Sequence, residues 1–115
     1  MTKTTSDARR DRVFDALADP TRRQIVELLV GEPEATISWV AGHFPVSRQA
    51  ITKHLNALQE AGIVDIESRG RERIVTVRPG SLDAASAWLD DVGRQWDERL
   101  AALRMHLEKS QGQDR

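Results

Sequence analysis

Ser47-Arg48-Gln49-Ala50-Ile51-Thr52-Lys53-His54-Leu55-Asn56-Ala57-Leu58-Gln59-Glu60-Ala61-Gly62 is the stretch on which the fold turns. Ile51, Leu55 and Leu58 recur at spacings of four and three, one stripe of an α-helix. Ser47 is a strong N-cap, because its hydroxyl oxygen accepts a backbone N–H left unpaired at a helix start. Ala61-Gly62 ends the helix, since glycine takes the left-handed cap position without steric cost. With the apolar stripe turned inward, Arg48, Gln49, Thr52, Lys53 and Asn56 lie wholly or partly on the open side. A guanidinium, an amide, a hydroxyl and an ammonium near one helix N-terminus suit base edges in a major groove and the phosphates beside it. Arg48, Gln49 and Thr52 are the expected base readers, and Lys53 is the expected phosphate contact. His54 lies on the boundary between the faces, and either donates to nucleic acid or packs inside the protein. Thr52 bonds either a phosphate or its own helix.

Upstream, Thr36 or Ser38 caps a short helix through Trp39, Val40 and Ala41, and His43-Phe44-Pro45-Val46 connects it to helix 47–61. Two helices separated by about four residues fit a helix-turn-helix. Before them, Asp19-Pro20 reads as an N-cap followed by proline in the first turn, where its missing N–H costs nothing. That helix runs to about Val30 with Ile25, Leu28 and Leu29 inward, carries Arg22 and Arg23 early, and ends at Gly31-Glu32-Pro33. A first helix from Arg9 aligns Val13, Phe14, Leu17 and Ala18, and polar residues 1–8 read as a flexible tail.

Downstream the period changes. Ile63-Val64-Asp65-Ile66-Glu67 and Arg73-Ile74-Val75-Thr76-Val77 are rich in β-branched residues and flank Ser68-Arg69-Gly70-Arg71-Glu72, which predicts a β-hairpin. Arg69, Arg71 and Arg73 alternate around Gly70, so the tip is positive, tempered by Glu67 and Glu72. Such a tip follows a phosphate backbone or enters a narrow minor groove. Pro79-Gly80-Ser81 breaks the strand and launches a final helix. Along it Leu82, Ala85, Leu89, Val92, Trp96, Leu100, Leu103 and Leu107 keep helical spacing for about 28 residues, roughly 40 Å at 1.5 Å per residue. One small chain would struggle to cover that stripe. Packing of Leu89, Val92, Trp96, Leu100 and Leu103 against a second copy, with Val13 and Leu17 of the first helix contributing, is the expected homodimer interface. The alternative is one long helix lying across its own core. The expected organisation is a flexible tail at 1–8, one domain at 9–107 and a second tail at 108–115. The expected fold class is mainly α with a small β-hairpin.

Composition narrows the function. The 115 residues include no cysteine, which excludes a disulfide framework, a thiolate metal cluster and a cysteine nucleophile. No apolar run approaches the roughly 18 residues of a membrane helix, and the first residues lack a signal peptide's apolar segment. A cytoplasmic protein with no membrane partner is the expectation. The net charge of -1 hides an uneven distribution, for residues 47–78 carry six basic and four acidic side chains while both flanking segments are net acidic. Local positive potential is what an anionic polymer meets. No glycine-rich phosphate loop, H-E-x-x-H or G-x-S-x-G pattern is present. His43, His54 and His106 fall in separate elements, and the neighbouring Asp90 and Asp91 point in different directions on a helix. No enzyme activity and no cofactor are expected.

Ala16-Leu17-Ala18-Asp19-Pro20-Thr21-Arg22-Arg23, the segment SRQAITKHL at 47–55, and Leu58-x-x-Ala61-Gly62-Ile63-Val64 together resemble the ArsR/SmtB-like family of winged helix-turn-helix repressors. The arginine–glycine–arginine hairpin and the long last helix extend the resemblance over roughly residues 9–107. It implies a winged helix-turn-helix with a long C-terminal dimerisation helix, and a homodimer on a double-stranded, inverted-repeat DNA operator. Helix 47–61 would be the recognition helix, and 63–78 the strands and wing, so that Lys53, His54, Arg69, Arg71 and Arg73 supply phosphate or wing contacts. The family's metal sites are not intact here. Cysteine sites are impossible, Asp91 is followed two residues on by Gly93, and His106 is followed three residues on by Lys109. The closer resemblance is to members without a recognised metal site, leaving a small-molecule effector, a partner protein or no signal at all. The competing readings are a winged-helix protein-interaction module and a metal-responsive repressor with an atypical site.

Overall fold

The computed structural model describes residues 5–32 and 34–113. In chain order they form α1 (Thr5–Leu17), α2 (Pro20–Gly31), β1 (Glu34–Thr36), α3 (Ile37–Ala41), α4 (Arg48–Glu60), β2 (Val64–Arg69), β3 (Glu72–Val77) and α5 (Asp83–Gln113). By internal packing the chain divides into two units, residues 1–85 and 86–115. None of the described helices is long and apolar enough to cross a membrane.

The helix boundaries follow from their caps. Asp19 accepts the Arg22 N–H at 3.1 Å and Pro20 opens α2. Thr36, rather than Ser38, caps α3 by accepting from the Trp39 N–H. Ser47 accepts the Ala50 N–H at 3.1 Å to start α4. At the other end of α4, the Gly62 N–H donates to the Gln59 carbonyl and the Ile63 N–H to that of Leu58. Those two bonds are a complete Schellman motif, which requires Gly62 at φ +79°. Ile63 and Leu58, the apolar pair that accompanies the motif, are both fully buried. The chain thus turns from α4 to β2 on a fixed corner.

The core of the first unit gathers Val13 and Ala16 from α1, Ile25, Val26 and Leu29 from α2, and Ile51, Leu55 and Leu58 from α4. Ile37 and Val40 of α3, with Ala35, Val64 and Val75 from the strands, close it. Val26 is buried where the sequence pointed to Leu28, which is only partly buried. Three strands make the sheet, in the order β1-β3-β2, both pairs antiparallel. The sequence predicts only the β2–β3 hairpin. Its register pairs Arg69 with Glu72 across Gly70-Arg71, and Gly70 at φ +61° supplies the positive φ that a two-residue hairpin turn needs.

Two boundaries differ from expectation. Helix α1 begins at Thr5, inside the stretch read as a tail, while residues 1–4 lie outside the described residues. Helix α5 runs through Gln113, beyond the expected limit at 107, and 114–115 lie outside the described residues, as does Pro33. Val13 corrects one dimerisation assignment. It is 3% exposed and belongs to the chain's own core, because α1 turns both Val13 and Ala16 inward. Leu17 also packs against that core, partly buried. Ala85 is likewise a core residue of the first unit. Within residues 86–115, Leu89, Trp96, Leu100, Leu103 and Leu107 are all more than half exposed, and Val92 is intermediate.

Candidate nucleic-acid interface

Helix α4 is sharply divided. Ile51, Leu55 and Leu58 are at 0% exposure, whereas Arg48, Gln49, Lys53 and Asn56 are exposed. For Thr52 and His54, each left with two alternatives by the sequence, the structure takes the one within the protein. The Thr52 hydroxyl, partly buried, donates back to the Arg48 carbonyl at 3.0 Å, the bond a mid-helix threonine makes to its own preceding turn. Its oxygen keeps acceptor capacity only. The His54 side chain is 22% exposed and its Nδ1 stands 4.0 Å from Asp19 Oδ1, so it faces the cap of α2. Of the two alternatives for His54, this is the packed one.

The wing sorts its arginines into two kinds. Arg69 is ion-paired to Glu67 and, across the sheet, to Glu34 of β1. The hydrogen bond to Glu67, and then that to Glu34, push the Arg69 pKa up. Arg78 holds Asp65 through two guanidinium nitrogens, Nη2 at 2.5 Å and Nε at 3.3 Å. That contact lowers the Asp65 pKa and raises that of Arg78. Arg71 at the tip and Arg73 on β3 are exposed and have no ion pair among the described residues. Free positive charge on the wing is therefore carried by Arg71 and Arg73, and Arg69 is largely neutralised by its neighbours.

Arg22 and Arg23 gain a role that their sequence position does not reveal. Arg22 donates from Nε to the Ala16 carbonyl at 2.5 Å and from Nη2 to that of Asp15 at 3.3 Å. Arg23 Nη1 donates to the carbonyls of Leu17 and Ala18, at 2.7 and 3.1 Å. These four carbonyls belong to the end of α1 and the link to α2, where helical partners run out. Asp19 caps the next helix from the other side, and the Arg22 N–H it accepts is the main reason its pKa is lowered, with His54 and Arg22 charge adding to it. The run Asp19-Pro20-Thr21-Arg22-Arg23 is thus a corner lock between α1 and α2. Side-chain reach across a corner has no periodic signature, so only the three-dimensional arrangement exposes it.

Helices α3 and α4 joined by a tight connection, followed by a paired hairpin that carries basic residues, define a winged helix-turn-helix. Residues 17–67 match a family model described as a helix-turn-helix domain. The chain is 38% identical over 104 residues to the HTH-type transcriptional regulator Rv2034 of Mycobacterium tuberculosis, covering 90% of this chain and 92% of that one. It is 33% identical over 79 residues to the transcriptional repressor SdpR of Bacillus subtilis, covering 69% and 87% respectively. Among solved structures it is similar to an ArsR-like transcriptional regulator from Rhodococcus sp. RHA1, with a TM-score of 0.67, 42% identity, and 85% and 92% of the two chains covered. The chain belongs to the ArsR/SmtB family of winged helix-turn-helix transcriptional regulators, a family of DNA-binding proteins and not of enzymes.

Proposed function

We propose that the protein is a homodimeric repressor that binds an inverted-repeat DNA operator, with α4 of each protomer in the major groove and the β2–β3 wing on the neighbouring backbone. The observation that carries this reading is the division of α4, whose buried apolar stripe leaves Arg48, Gln49, Lys53 and Asn56 open, together with two wing arginines that have no ion pair among the described residues. Gln49 is well suited to read a base edge, because a side-chain amide offers donor and acceptor together. Lys53 is suited to a phosphate as a point charge. Repression is supported by the likeness to SdpR, itself designated a transcriptional repressor. The dimer is supported by the exposed apolar residues of α5, and its two-fold axis would set the recognition helices roughly 34 Å apart. A cytoplasmic location is part of this reading, since that is where such a protein would meet DNA.

We assign no metal to the release of DNA. Asp91 and His106 lack their family partners, and no group of three or more His, Cys, Asp or Glu among the described residues is placed to hold an ion. The signal would be a small-molecule effector or a partner protein, or DNA affinity would be constitutive. Titrating zinc or cadmium into the protein–DNA complex should leave it intact; stoichiometric release would reverse that assignment. The main test is selection from a random duplex pool followed by footprinting. Two protected half-sites related by a dyad and one helical turn apart are expected. A protein-interaction module would give no defined protected repeat.

A further inference from the structure

Between the start of α4 and the wing lies a small cavity of about 140 Å³, lined by Thr36, Ile37, Ser38, Arg48, Arg71, Glu72 and Arg73. Three arginines line it against one glutamate. All three arginines are exposed and none has an ion pair among the described residues, whereas Arg69 and Arg78 on the same wing are both neutralised. Like charges in excess over the counter-charge beside them raise each other's energy, and an anion between them offsets that cost. The cavity falls below the roughly 300–1,000 Å³ of pockets that enclose organic ligands, a size that suits a small anionic group. Guanidinium forks match phosphate oxygens in geometry as well as charge.

We propose that Arg48, Arg71 and Arg73 together hold one phosphate of the DNA backbone in this notch, so that Arg48 docks the helix to the backbone and does not read a base. The proposal rests on the DNA-binding reading above and refines it. A single phosphate gripped from both sides ties the start of α4 to the turn of the wing, two elements that the sequence joins only through the far end of α4. Sequence reading is then left to Gln49 and its neighbours further along the exposed face.

The test uses a duplex recovered from a random pool by the wild-type protein, with Arg48→Gln, Arg71→Gln, Arg73→Gln and the triple variant compared over a range of salt concentrations. If one phosphate is shared, each single variant binds more weakly with little change in the salt slope, since two arginines still neutralise it. The triple variant then loses about 0.9 from the log–log slope per protomer. Three separate phosphates would instead remove roughly 2.7 per protomer, and that result overturns the proposal. A second arm replaces backbone phosphates one at a time with neutral methylphosphonates. One position per half-site should weaken wild type and leave the triple variant unaffected; no such position would also overturn it. Reselection with Arg48→Gln should return the wild-type preference, and a changed base preference would restore Arg48 as a base reader. Overlapping thermal melts check that these exposed substitutions leave the fold intact. Should wild type recover no duplex at all, the DNA-binding reading fails together with the notch. A defined repeat bound without the shared phosphate removes the notch alone.

Discussion

Asp19 shows how much one side chain carries in this fold. It caps α2 through the Arg22 N–H, stands 4.0 Å from His54 of α4, and is flanked by arginines that cap α1. Its pKa is held below the ordinary 3.8, first by the Arg22 N–H, and Asp65 is held below it by Arg78. A carboxylate with a depressed folded pKa contributes its full stabilisation above the unfolded value and loses it as pH falls through the folded one. Thermal stability should therefore fall as pH drops below about 3.8, and Asp19→Asn combined with Asp65→Asn should flatten that fall. Asparagine retains the cap, so the change isolates charge from capping. Melting curves from pH 5 downward check this, and an unchanged slope in the double variant would contradict it. The cap of α4 gives a cleaner magnitude. Ser47→Ala removes the acceptor for the Ala50 N–H and should cost about 1 kcal/mol in chemical denaturation, with Ser47→Asp close to neutral.

Helix α4 carries two sets of demands, and substitutions should separate them. Leu55 is at 0% exposure, so Leu55→Ala should lose about 2–5 kcal/mol from the missing methyl groups and the cavity left behind, a large share of a small domain's stability. On the opposite face, Gln49→Ala should relax base preference by about 1–3 kcal/mol at one position per half-site. Lys53→Gln should weaken all duplexes alike and reduce the salt slope by about 1 per protomer. Competition binding over several salt concentrations distinguishes the two; a Lys53 variant with altered preference and unaltered slope would exchange the roles. The division of α4 was legible because a 13-residue amphipathic helix repeats its pattern and is marked by Ser47 and Gly62 at its ends. Strand β1 was not legible. At three residues it is too short for alternation, and its identity as a strand comes wholly from pairing with β3. Spacing made the exposure of Arg48, Gln49 and Lys53 legible, whereas at Thr52 and His54 it left two alternatives open. Helical spacing assigns a direction from the axis, and both residues lie at its boundary, where a local carbonyl and a cap on another helix decide.

For the molecule as a whole, the decisive question is what covers the apolar side of α5. Leu89, Trp96, Leu100, Leu103 and Leu107 are 52–60% exposed within one chain, although their spacing is that of a buried helix face. Burying such side chains from water is worth about 25 cal/mol per Å², so a second copy has ample reason to pack there. In a two-fold dimer every substitution occurs twice, and Leu100→Glu would place two carboxylates in one apolar interface. Leu100 lies outside residues 1–85, whose core is complete without it. The variant should therefore keep a folded first unit and sediment as a monomer at concentrations where the proposed wild-type dimer forms. Linking two binding units raises affinity by about 10²–10⁴ through effective concentration alone. Leu100→Glu should lose a factor in that range on a duplex with two half-sites, yet match the wild-type affinity per half-site on a duplex with one. Sedimentation and binding measured on the same samples decide the matter. A monomeric variant that still held the two-half-site duplex with wild-type affinity would mean that recognition does not depend on pairing through α5.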